Sequence, residues 1–203
     1  ELIQEARRWG LPAQSDSKPG GVVGLLVDAL WTSVAEARCI PARRLPPLVG
    51  QALVGKAARL EVSGVATVEA EYRRTMRRLD LPAEQGVGKQ FCMRCILQCL
   101  VLEEASLEQL QQECSRTDFR IGDECIGRSK PFLVRCLLVE SCCRDRWEAR
   151  GVPVDRLGVE AAIRVAMRHE ELQNFSSEKL REELKAVGLE HLGNAEEKLL
   201  LEK

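Results

Sequence analysis

Glu36-Ala-Arg-Cys-Ile-Pro-Ala-Arg-Arg-Leu45 returns 112 residues later as Glu148-Ala-Arg-Gly-Val-Pro-Val-Asp-Arg-Leu157. Seven of the ten positions agree outright or by exchange of Ile for Val, a density that points to an internal duplication. Each copy closes an apolar helical run, Val22–Ala37 before the first and Lys130–Trp147 before the second. Pro41 and Pro153 then bar continuation of the helix. The chain therefore reads as all-α, with tandem helical hairpins in a first half at residues 1–104 and a second at 105–203.

Outward from that stretch, apolar residues keep recurring at spacings of three and four. Glu1–Trp9 is a short helix stopped by Gly10-Leu11-Pro12. Pro46-Pro47 opens another, in which Leu48, Ala52, Leu53, Lys56 and Leu60 show alternating apolar and polar faces. Thr67–Leu79 carries Val68, Tyr72, Met76 and Leu79 and stops at Asp80-Leu81-Pro82, and Lys89–Leu102 follows a Gly-containing loop. Ser106 with Gln109 makes a capping box for a helix to Arg116. Lys130–Trp147 has Pro131 in its first turn, and Asp155–Leu172 has Leu157, Ala161, Ala162, Ile163, Ala166 and Met167 on a broad apolar face. Ser176 begins the next helix, and Gly193-Asn194 starts a final stretch to Lys203. No segment alternates with period two for long enough to argue a strand, so about ten helices are expected.

Thirty basic residues against 31 acidic ones leave a net charge of −1, a poor footprint for a protein coating phosphate backbones, so any nucleic-acid contact must be local. No apolar run reaches the length of a membrane span. Nine Cys without regular spacing, several inside apolar helical patterns, argue for reduced thiols in an intracellular compartment, an organelle or the nucleus. The chain begins at Glu1 without a secretory pattern, the expectation being a processed or trimmed polypeptide.

Aligning the helix stops gives a unit of short helix, stop, polar loop of about ten residues and second apolar helix. Four copies can be read: Leu2–Leu30, Glu71–Val101, Leu107–Val139 and Leu180–Lys203. The middle two agree in register at their second helices, where Lys89-Gln-Phe-Cys-Met-Arg-Cys-Ile-Leu97 stands beside Lys130-Pro-Phe-Leu-Val-Arg-Cys-Leu-Leu138. The unit resembles the SAP motif, a helix–extended loop–helix module of chromatin and DNA-repair proteins. The clearest match is Lys179-Leu-Arg-Glu-Glu-Leu-Lys-Ala-Val-Gly-Leu189 with Gly193, and Glu1–Pro12 is a weaker one. The middle units depart from the motif, with Asp80 and Asp118 in place of Gly, while Lys89 and Lys130 stand at its loop-exit position. The resemblance implies DNA binding through the loop and the start of the second helix, although related hairpins also dock proteins.

Arg73, Arg74, Arg77 and Arg78 occupy two adjacent stripes of one helix and, with Lys89 across the loop, are the best candidates for phosphate contact. Lys130, Arg181 and Lys185 complete that set. The competing reading is a solvated face neutralised by Glu69, Glu71 and Glu84. Cys92, Cys95 and Cys99 form one helical stripe and read as core packing, since no further ligands complete a zinc site. Cys142-Cys143 can hardly form a relaxed bridge, whereas Cys114 and Cys125 lie near a loop that leaves exposure open, with nothing that marks them as activated. Gly86-Val-Gly-Lys89 fails as a phosphate loop, lacking the required first Gly and the Ser or Thr after Lys. His169 and His191 have no partner at an interpretable spacing and read as solvated, or as charges favourable to a helix C-terminus. Glu103-Glu104, Glu170-Glu171 and Glu182-Glu183 read as surface carboxylates.

No catalytic, metal or cofactor site emerges, and no small-molecule substrate is implied. The expectation is a non-enzymatic scaffold, a subunit of a larger intracellular or organellar assembly whose partners are other proteins. The alternative is a SAP-like DNA- or RNA-binding protein. The last unit has only a short second helix, which a partner chain or further sequence would cover.

Overall fold

The computed structural model describes residues 45–116 and 127–188, together with residues 4, 29–30, 32–38 and 40–41. Among these residues the chain is all-α, with no strand. Among the described residues nine helices follow Leu45: α1 Pro47–Val62, α2 Val65–Arg78, α3 Lys89–Glu104, α4 Leu107–Arg116, α5 Lys130–Leu138, α6 Arg144–Ala149, α7 Val154–Leu157, α8 Val159–Gln173 and α9 Ser177–Ala186. A π turn, Val139–Cys143, joins α5 to α6. None of these helices is long and apolar enough to cross a membrane.

α1 begins at Pro47, whose missing N–H costs nothing in a first turn. It buries Gly50, Leu53, Ala57 and Leu60, a stripe at spacings of three, four and three. Leu48 and Ala52 lie well round the cylinder from that stripe, and Leu48 is 80% exposed. α2 buries Val68, Tyr72 and Met76, as their spacing predicts. α3 is the central helix. Cys92, Met93, Cys95, Ile96, Leu97, Cys99, Val101 and Leu102 are all buried, because α1, α2, α5 and the π turn surround it.

α2 and α3 run side by side in the same direction. Arg78 at the end of α2 reaches Glu103 and Cys99 near the end of α3, and residues 79–88 carry the chain back to the start. Leu81 and Val87 anchor that return loop by burying their side chains. α4 opens on a complete capping box: Ser106 N–H donates to Gln109 Oε1 at 2.8 Å, and Gln109 N–H donates to Ser106 Oγ at 3.2 Å. α5 then starts beside the end of α3, with Lys130 Nζ donating to the Glu103 carbonyl at 2.5 Å.

Two expected helices are interrupted. Lys130–Trp147 contains the π turn, where Ser141 Oγ donates to the Leu137 carbonyl at 2.7 Å and Arg94 Nη2 donates to the Ser141 carbonyl at 2.6 Å. Both bonds compete for carbonyl groups of the regular ladder, and the turn widens. Asp155–Leu172 is broken at Gly158, whose φ of +76° falls in a region that side chains disfavour, so α7 ends and α8 begins there. Ser176 caps α9 by accepting from the Lys179 N–H at 3.4 Å.

The repeated decapeptides end their helices in the same way. Ile40 N–H donates to the Ala35 carbonyl at 2.9 Å, and Val152 N–H, 112 positions on, donates to the Trp147 carbonyl at 2.9 Å. Gly151, at φ +83°, completes the second stop by donating to Glu148. This is the Schellman arrangement, and Ile40 and Val152 each bury the apolar side chain that accompanies it. α2 stops likewise, through Leu81 N–H on Met76 and Asp80 N–H on Arg77.

One contiguous cluster of buried residues extends from Ala35 to Ala166. The boundary expected at 104/105 falls between α3 and α4. Cys114, whose exposure the loop nearby left open, is fully buried, because it lies on the same face of α4 as Leu110. Most of Glu1–Trp9, the stretch from Gly193, the stops at Leu11, Phe119 and Leu189, and Cys39, Cys125 and His191 lie outside the described residues.

Candidate functional site

The buried stripe of α2 leaves Arg73, Arg74, Arg77 and Arg78 exposed on its other side. They do not act alike. Arg73 Nη2 pairs with Glu69 at 3.1 Å along the helix, and Arg78 Nη2 pairs with Glu103 of α3 at 2.7 Å. Arg74 and Arg77 make no ion pair among the described residues. Of the acids expected to neutralise this face only Glu69 does so: Glu71 pairs with Lys56, and Glu84 turns inward.

Lys89 and Lys130, matched in register by the sequence, perform matching tasks. Lys89 Nζ donates to the Glu61 carbonyl at 2.6 Å, at the end of α1, as Lys130 does to Glu103 at the end of α3. Each opens one helix and caps the C-terminal carbonyls of the helix two before it, where an ammonium also meets the negative end of the helix dipole. Arg181 and Lys185 stand one turn apart on the exposed side of α9, which bonds to α8 through the Arg168–Glu183 pair. The eight basic residues thus divide into two helix caps, two paired arginines, two arginines on α2 without an ion pair among the described residues and two residues on α9.

Arg73 and Arg77 form one wall of a groove of about 690 Å³. The floor is Leu81-Pro82-Ala83, and the opposite wall is the end of α8, with Met167, Glu170, Glu171 and Asn174. Gln85 Nε2 donates to Asn174 Oδ1 at 3.1 Å and ties the return loop to α8. Met167, expected on the buried face of its helix, is 40% exposed here. The groove therefore brings together elements from both halves of the chain.

Beneath the floor lies Glu84, only 4% exposed. Its carboxylate accepts from Arg146 Nε at 2.8 Å and Trp147 Nε1 at 3.0 Å, and it forms an ion pair with Arg150 Nη2 at 3.0 Å. Arg146 also stacks over Phe91 of α3, 4.9 Å from the ring centroid. His169 and Glu170 of α8 border the same buried acid across a cavity of about 10 Å³, space for a water at most. Burial, aided by Arg150 and opposed by Glu84, lowers the His169 pKa, so the imidazole holds a proton less readily than usual. Burial and Glu84 together raise the Glu170 pKa, against the Ala83 N–H and Arg150. His169 is thus half-buried beside an arginine rather than a solvated charge at a helix end.

Sequence reasoning missed Glu84, His169 and Glu170 as a group. Glu84 meets partners 62 to 66 residues away, and no local pattern announces a contact at that range. Compared with known proteins, the chain matches no family model, no curated protein and no solved structure.

Proposed function

We propose that this chain is a non-enzymatic helical interaction module, a subunit of a larger intracellular assembly, and that it receives a protein partner in the groove between α2 and α8. The observation that carries this reading is the pairing of Arg77, without an ion pair among the described residues, with half-exposed Met167 across one groove. Arg and Met are enriched in protein interfaces, where a guanidinium offers planar hydrogen bonding and a thioether adapts to a partner's shape. Cys92, Cys95, Cys99, Cys142 and Cys143 are buried as thiols in the helical core, which supports a reducing compartment.

The test is affinity purification of the tagged chain from its own cells, comparing the native sequence with Arg77→Glu and Met167→Asp. Under this reading a stoichiometric partner is retained by the native chain and by an Arg156→Glu control, and lost from both groove variants. Equal recovery by all four chains overturns it.

A second reading, a SAP-like nucleic-acid binder, is favoured by the adjacency of Arg74 and Arg77 on α2. Fluorescence anisotropy with a short DNA duplex and a matched RNA at two salt concentrations decides it. Salt-sensitive binding that Arg74→Glu and Arg77→Glu abolish would replace the protein partner with a nucleic acid.

A further inference from the structure

The packing of α3 against the π turn is made largely of sulfur. Cys92, Cys95 and Cys99 are fully buried along one stripe of α3. The wide turn on the opposing helix directs Val139, Cys142 and Cys143 inward together, and the Cys95 thiol lies within hydrogen-bonding reach of both Cys142 and Cys143. Cys142 is the outermost member at 8% exposed, and its Sγ lies 3.7 Å from Ser141 Oγ. Arg94, which holds the Ser141 carbonyl, places a guanidinium charge close to Cys142.

We propose that Cys95 and Cys142 are an oxidative modification site, at which a peroxide converts two buried thiols into a disulfide that locks α3 to the π turn. The Cys142 sulfur attacks the peroxide O–O bond, forming a sulfenic acid and releasing one water. The Cys95 sulfur then attacks the Cys142 sulfur, the S–O bond breaks, and the hydroxyl leaves as a second water with the Cys95 proton. One peroxide is reduced, and two thiols are oxidised. Cys143 stands beside the pair but is less accessible than Cys142.

The surroundings make the step slow. At Cys95 the bond from Cys142 favours the thiolate, but the bond with Cys143 and burial outweigh it and hold the thiol well above its ordinary range. Cys142 is held up by its bond to Cys95 and by burial, against Ser141 and Arg94. Little thiolate is present at neutral pH, so cross-linking under millimolar hydrogen peroxide proceeds over hours rather than seconds.

The experiment treats the full chain with millimolar hydrogen peroxide, blocks remaining thiols, and maps the peptides without reduction. The expected product has lost two hydrogen atoms, yields a Cys95–Cys142 linked peptide, melts on the order of 5 °C higher than the reduced chain, and reverts with dithiothreitol. Cys143→Ala retains the cross-link and Cys142→Ala abolishes it. Thiols that stay unmodified, a Cys95–Cys143 link, or sulfinic acid without a cross-link each overturn the proposal. Mapping of the native chain decides the matter even where a substitution fails to fold.

Discussion

Glu170 is a carboxyl group placed where its charge is unwelcome. One of its oxygens is buried without a hydrogen-bond partner among the described residues, and the Glu84 carboxylate lies across the small cavity. Its pKa is raised above the ordinary 4.5, so the folded chain binds this proton more tightly than the unfolded chain does. By linkage, the contribution is present below the unfolded value of 4.5 and lost as pH rises through the raised folded value. At neutral pH the ionised side chain therefore weakens the fold. Glu170→Gln raises the thermal midpoint at pH 7 and leaves it nearly unchanged at pH 4, as scanning calorimetry at the two pH values would show. A lower midpoint at pH 7 would mean that the carboxylate is better satisfied than its surroundings indicate. His169 has the opposite sign, its contribution being present above pH 6.5 and lost on acidification.

At the scale of the element, the helix ends explain most of what could be read from sequence. A capping box, a proline in a first turn and a serine N-cap act over three or four residues, so Ser106 with Gln109, Pro47, Pro131 and Ser176 mark their helices without help from the fold. The π turn and the inward turn of Glu84 were not legible, because Arg94 and Arg146 reach them from 47 and 62 residues away. Lys89 and Lys130 were legible as equivalent positions, but their task was not, since a lysine leaving a loop looks the same whether it meets a phosphate or a carbonyl. The stop of α2 offers a local test. Asp80 holds φ at +51°, a left-handed conformation that glycine adopts without strain. Its backbone N–H already makes the Schellman bond to Arg77, so substitution leaves the motif intact. Asp80→Gly is expected to stabilise the protein by about 0.5–1 kcal/mol in urea unfolding, the relief of αL strain exceeding the added entropy of the unfolded chain. Destabilisation of that size would assign the aspartate side chain a bond worth more than the strain.

At the scale of the whole molecule, the duplication suggested by the decapeptides raises the question of whether each half can stand alone. α3 closes the first half, yet its buried side chains face α1 and α2 on one side and α5 and the π turn on the other. Glu84 belongs to the first half, while Arg146, Trp147 and Arg150 belong to the second. Cutting the chain after Glu104 would expose the apolar side of α3 that α5 covers. It would also leave a buried carboxylate without its donors and strip Trp147 of its acceptor, a combination that costs several kcal/mol against the 5–15 kcal/mol typical of a whole domain. Fragments 1–104 and 105–203 expressed separately are therefore expected to show reduced helicity by circular dichroism and little amide protection. The intact chain is expected to lose protection in α3 and α5 together as urea is raised. Hydrogen exchange read by mass spectrometry follows both helices in one sample. If α3 kept its protection after α5 had lost it, or fragment 1–104 folded alone, the halves would be independent units joined by a shared surface rather than by a shared core.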